Sequence, residues 1–109
     1  MGGINLEDEL VSRLDHAYTE RLLADMIGID SVVGNEGPLA DYILHALSAI
    51  GLDCRLHEVE PGRPNVYARL PGRRPGLRLN FNGHTDTVPI CEGWRTQPHS
   101  PVVQDRRIY

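Results

Sequence analysis

The sequence contains no lysine, and all eleven basic residues are arginine. Chemistry that depends on a lysine nucleophile, a Schiff base or a phosphate-loop lysine is excluded within this chain. Cysteine is nearly as scarce, with Cys54 and Cys91 standing alone and no C-x-x-C pair. The opening Met1-Gly2-Gly3-Ile4 runs into an acidic stretch rather than an apolar leader, so a cytoplasmic location is expected. Myristoylation at Gly2 is not expected, because Leu6 occupies the position where that motif wants Ser or Thr. No window approaches the roughly 18 consecutive apolar residues of a membrane span. Charge is also modest: 11 basic against 15 acidic residues leave a net charge of −4. That is too little for a disordered acidic tail and the wrong sign for a nucleic-acid clamp, so neither a nucleic acid nor a membrane is an expected partner.

What is present is an ordinary globular mixture, 40% hydrophobic and 24% charged over 109 residues, enough for one domain and too short for two. Leu6, Leu10, Leu14, Tyr18, Leu22 and Met26 recur every four positions, the stripe of an amphipathic helix. Asn5 suits its N-cap, Gly28 its end, and Asp15-His16 a break in the middle. After a polar turn, Pro38 opens a second helix whose stripe is Leu39, Ile43, Leu47 and Ile50, and Gly51 follows where a left-handed residue is wanted. The period then changes to two. Residues 52–59, 65–70 and 77–81 read as three strands separated by the Pro-Gly turns at 61–64 and 71–76. Beyond Gly83 the pattern dissolves into a loop in which only Val102-Val103 and Ile108-Tyr109 resemble strand pieces. Two helices followed by three strands make an α/β beginning that looks incomplete.

The chemistry concentrates at Gly83-His84-Thr85-Asp86-Thr87-Val88-Pro89, directly after the third strand. Residues two apart in an extended chain point to one side, so Asp86 can reach the imidazole of His84. A ligating histidine commonly donates its second ring N–H to such an oxygen, which fixes tautomer and orientation. By itself a His-x-Asp pair is a weak signal.

The surrounding residues strengthen it. The stretch from Leu79 to Pro89 resembles the first metal motif of the dinuclear zinc aminoacylases and exopeptidases, which include acetylornithine deacetylase, succinyl-diaminopimelate desuccinylase, aminoacylase and glutamate-releasing carboxypeptidases. Ser31-Val32-Val33-Gly34-Asn35-Glu36 resembles the turn between that family's first two helices, and Pro64-Asn65-Val66-Tyr67-Ala68 its second strand. Gly93-Trp94, Pro98-His99-Ser100-Pro101 and Arg107-Ile108-Tyr109 are similar to its approach to the next motif, with His99 where the family usually carries phenylalanine. The resemblance covers residues 6–109. It implies the N-terminal portion of a zinc-exopeptidase-like catalytic domain, without the dimerisation domain of a homodimeric parent. It further implies hydrolysis of an N-acyl amino acid or short peptide with two zinc or cobalt ions, His84 as a metal ligand and Asp86 as the catalytic-site residue that clamps its ring. The family's bridging aspartate, glutamate base and other ligands would lie beyond Tyr109. Since a catalytic zinc wants three protein ligands, the 109 residues are expected to be inactive alone.

Two other readings compete: a complete non-catalytic interaction module or decayed remnant, and a simple metal-binding module using His84, Asp86 and His99. Cys91, Glu92, His99 and Asp105 match no closed zinc spacing. His16, His45 and His57 are expected to be solvated, Cys54 to be a small core residue, and Trp94 to be a packing anchor. The arginine pairs at 73–74 and 106–107 are too short for a nucleic-acid footprint.

Overall fold

The computed structural model describes Gly3 and residues 5–109. The element order is α1 (Leu6–Ser12), α2 (His16–Gly28), α3 (Gly37–Ala49), β1 (Asp53–Glu60), β2 (Arg63–Arg69), β3 (Val103–Gln104) and β4 (Arg107–Ile108). The class is α/β, with three helices rather than two, because the long apolar stripe is interrupted at residues 13–15. Asp15 causes the interruption. Its Oδ1 accepts the Tyr18 N–H at 2.9 Å and caps α2, and a short acidic side chain gains more at an N-cap than inside a helix. Asn5 caps α1 in the same way, accepting the Glu7 N–H at 3.2 Å.

α3 carries the core. Leu39 and Ala40, 6% and 0% exposed, are its buried apolar residues. Its C-terminus closes with the Leu52 N–H on the Leu47 carbonyl and the Gly51 N–H on the Ser48 carbonyl, with Gly51 at φ +92°. This double bond satisfies two orphan carbonyls and requires a left-handed residue at Gly51. The antiparallel β1–β2 hairpin then packs on α3, with Cys54 opposite Ala68 and Leu56 opposite Val66. The opposite face is solvated, where Arg55 and His57 lean on the Tyr67 ring. The hairpin turn is tighter than the sequence suggested. Arg63 and Pro64 already belong to β2, and Pro64 is tolerated because β2 has an unpaired edge.

The third expected strand does not form. Residues 77–81 pair with no strand among the described residues, and Leu77, Leu79 and Phe81 lie in solvent, Phe81 at 87% exposure. Alternating apolar side chains favour a strand only when a neighbour supplies hydrogen bonds and a surface to cover one face. The two strand pieces expected near the end do pair, as the β3–β4 hairpin. Its two-residue turn places Asp105 at φ 51° and Arg106 at φ 60°, the mirror-image turn that suits the twist of paired strands but normally calls for glycine or asparagine.

The total accessible surface is 9645 Å², against about 6,000 Å² for a compact monomer of this mass. The radius of gyration, 17.3 Å, likewise exceeds the roughly 13 Å of a compact domain of this length. Much apolar surface is therefore left without a protein neighbour. No helix among the described residues is long and apolar enough to cross a membrane.

Candidate functional site

The turn between α2 and α3 is the foundation of the site. Asp30 Oδ1 accepts the Val32 N–H at 3.0 Å, and the Asn35 side-chain amide donates to the Asp30 carbonyl at 3.0 Å. Gly34, at φ +95°, lets the chain reverse where a side chain would be strained. The turn then grips the segment carrying the motif. The Val33 N–H donates to the Thr87 carbonyl at 3.1 Å and the Thr87 N–H to the Ser31 carbonyl at 3.0 Å, forming an isolated parallel bridge between Val32 and Thr87.

One residue before this bridge stands Asp86, and three before it His84. His84 Nδ1 lies 2.9 Å from the Asp86 main-chain carbonyl and 3.3 Å from Asp86 Oδ1. A carbonyl oxygen only accepts, so Nδ1 carries the proton and the Nε2 lone pair is free. The His84 side chain is 82% exposed. Asp86 thus contacts the ring in two ways, and the nearer atom belongs to the backbone, which the motif alone does not announce.

A donor set of one exposed imidazole oriented by the Asp86 carbonyl and carboxylate fits one metal ligand and its supporting group. It does not make a closed site. Among the described residues no group of three or more His, Cys, Asp or Glu side chains is arranged to hold an ion. His99 is not brought to His84. Its Nδ1 lies 3.4 Å from the Ile27 carbonyl at the end of α2, and its Nε2, buried without a hydrogen bond, stands 3.8 Å from Asp30 Oδ1. Trp94, expected as a packing anchor, is 56% exposed. Cys54 is half-buried and Cys91 exposed.

His84, Thr85 and Asp86 line an open cleft of about 910 Å³ that also takes in Val66 and Ala68 of β2 and Glu36 at the start of α3. Glu36 is buried, and Arg63 grips it as a fork: Nη2 reaches Oε1 at 2.7 Å and Nε reaches Oε1 and Oε2 at 3.1 and 3.0 Å. The Gly34 N–H also donates to Oε1, at 3.1 Å. These bonds, the Arg63 fork first and the Gly34 amide second, hold the Glu36 carboxyl at about 2, below its ordinary 4.5. The same pairing raises the Arg63 guanidinium above its usual value. Sequence reasoning singled out Glu36 only as part of a family-like turn and missed Arg63. The partners are 27 residues apart, and no local period links them.

Comparison with curated proteins finds relatives of this sequence. The chain is 35% identical over 86 residues to a succinyl-diaminopimelate desuccinylase of Cereibacter sphaeroides, covering 77% of this chain and 22% of that protein. It is 32% identical over 100 residues to succinyl-diaminopimelate desuccinylase 2 of a Ruegeria species, covering 89% and 25%. An acetylornithine deacetylase of Vibrio cholerae is 39% identical over 80 residues, covering 70% and 20%. The chain therefore spans about a fifth to a quarter of the length of these curated relatives. No family model and no solved structure matches it.

Proposed function

We propose that this aminoacylase-like chain, a relative of the succinyl-diaminopimelate desuccinylases and acetylornithine deacetylases, contributes part of the catalytic domain of a metal-dependent amide hydrolase. The substrates would be N-acyl amino acids or short peptides. The observation that carries this reading is the held imidazole: His84 has Nδ1–H committed to Asp86 on a largely exposed side chain, which leaves Nε2 as the donor nitrogen.

In this reading His84 Nε2 is one ligand to one of two zinc or cobalt ions, and the remaining ligands come from residues outside the described chain. When bound, such a pair of ions lowers the pKa of a bridging water and polarises the scissile carbonyl. The part played by this chain is narrower. Asp86 keeps the proton on Nδ1, so the donor lone pair stays on Nε2 and the ring cannot turn away. The α2–α3 turn holds the segment in place through Val33 and Thr87. The exposed 77–81 segment and the unpaired edge of β2 support a sheet completed by further polypeptide, with a homodimeric, cytoplasmic parent as the family-level expectation.

The test joins size to activity. The natively produced polypeptide is expected to be several times heavier than 12.2 kDa and to release free amino acid from N-acetyl or N-succinyl substrates. Activity should be lost with a chelator and return with zinc or cobalt. Replacing His84 by Ala should lower kcat/KM by at least about a hundredfold, as expected when a metal ligand is removed. A native mass of 12.2 kDa, or hydrolysis indifferent to chelation, would contradict the reading and favour an interaction module.

A further inference from the structure

Glu36 and Arg63 line the same cleft as His84 and Asp86, yet neither hydrogen-bonds to the motif among the described residues. Their connection runs through the backbone. Glu36 Oε1 receives the Gly34 N–H, Gly34 forms the left-handed corner of the α2–α3 turn, and that turn supplies the Ser31 carbonyl and the Val33 N–H that pair with Thr87. On the other side, the fork of Arg63 ties the carboxylate to the first residue of β2. Glu60 adds a second acceptor for Arg63, Oε2 at 3.0 Å from Nη1, on the outside of the hairpin. The backbones also approach closely at the junction, since a Cβ added at Gly37 would stand 3.1 Å from the Gly62 carbonyl. α3 and the hairpin turn thus meet closely where the carboxylate is buried.

We propose that Glu36, held by Arg63, is a positioning residue for His84: the buried pair fixes the α2–α3 turn, and the turn's bridge to Thr87 sets where the His84 imidazole and Asp86 stand. The inference rests on His84 being the metal ligand, and it names the device that presents that ligand. A general stabilising role would act on α3, the hairpin and the bridge alike. A positioning role acts on the bridge and the imidazole while the hairpin, with its own ladder of hydrogen bonds, persists.

The experiment is amide hydrogen exchange on the natively produced polypeptide, freed of metal, with 15N detection of the His84 ring, for the wild type and the variants Glu36→Ala, Arg63→Met, Arg63→Lys and Glu60→Gln. Glu36→Ala and Arg63→Met are expected to speed exchange of the Val33 and Thr87 amides by at least about tenfold, while the β1–β2 amides change by less than about threefold. In both variants the His84 ring should also move from the pure Nδ1–H tautomer toward a mixture. Arg63→Lys, which keeps the charge but loses the fork, should fall between, and Glu60→Gln should leave the bridge protected. Unchanged Val33 and Thr87 exchange in both disruptive variants would overturn the proposal. So would equal acceleration at every amide, which would make the pair a general brace; should Arg63→Met unfold the chain, Arg63→Lys decides by the same criterion. Because these readouts need no metal, they are separate from the ligand assignment, which fails independently if zinc leaves the wild-type His84 ring unmoved.

Discussion

Leu39 and Phe81 are both apolar residues in stretches whose periodicity marks one face for burial, and the structure treats them oppositely. Leu39, on α3, is 6% exposed, whereas Phe81 stands 87% exposed. The region 15–69 closes on itself through caps, a ladder and the Glu36–Arg63 pair. The region 70–82 has the composition to do the same and is exposed throughout. Periodicity specifies which face would be buried, and a partner surface decides whether it is.

The sharpest way to break this contrast is to apply one kind of truncation to both regions. Leu39→Ala should cost about 2 to 3 kcal/mol, the lower part of the range for deleting a buried leucine, because the surrounding core is small. Phe81→Ala should change stability by less than about 0.5 kcal/mol and reduce self-association. Urea unfolding followed by circular dichroism, with sedimentation for the second variant, checks both. A large loss at Phe81 would mean that residues 70–82 pack against a surface in solution.

The second test uses acid. The Glu36 carboxyl is held at about 2 in the fold against an ordinary 4.5, so ionisation of Glu36 favours the folded state. That contribution is complete above about 4.5 and is lost as the pH falls from there toward 2. Thermal melts across this window should show a falling midpoint in the wild type and a flatter profile in Glu36→Gln.

A third, smaller effect belongs to the helix break. Asp15→Ala removes the side-chain bond to the Tyr18 N–H and should destabilise α2 by about 1 kcal/mol, read from the helical circular dichroism signal on heating. The smallest effect lies in the far hairpin. Arg106, at φ 60°, is a non-glycine residue in a left-handed position, and Arg106→Gly should relieve up to about 1 kcal/mol. Slower exchange of the Val102 and Tyr109 amides, which bond to each other's carbonyls, would show it.

The helices and the first hairpin were legible because their signals are local. Asn5, Asp15, Pro38 and Gly51 act within a few residues of themselves, and the change of period after Gly51 falls where α3 gives way to β1. His84 and Asp86 were legible for the same reason, since their contact spans two residues. The Glu36–Arg63 pair and the Val32–Thr87 bridge were not, because each joins parts of the chain that only folding brings together. The strand read at 77–81 failed in the opposite sense. Its alternation is real, and the pairing it implies is absent among the described residues.

The account turns on His84 as a ligand through Nε2, and the most direct measurement is a zinc titration of the metal-free native polypeptide, followed by the ring 15N shifts of the five histidines of residues 1–109. Selective movement of His84 Nε2, with Nδ1 still protonated and the response lost in His84→Ala, is the predicted result. Shifts spread evenly over the five histidines, or zinc arriving at His84 Nδ1, would contradict it.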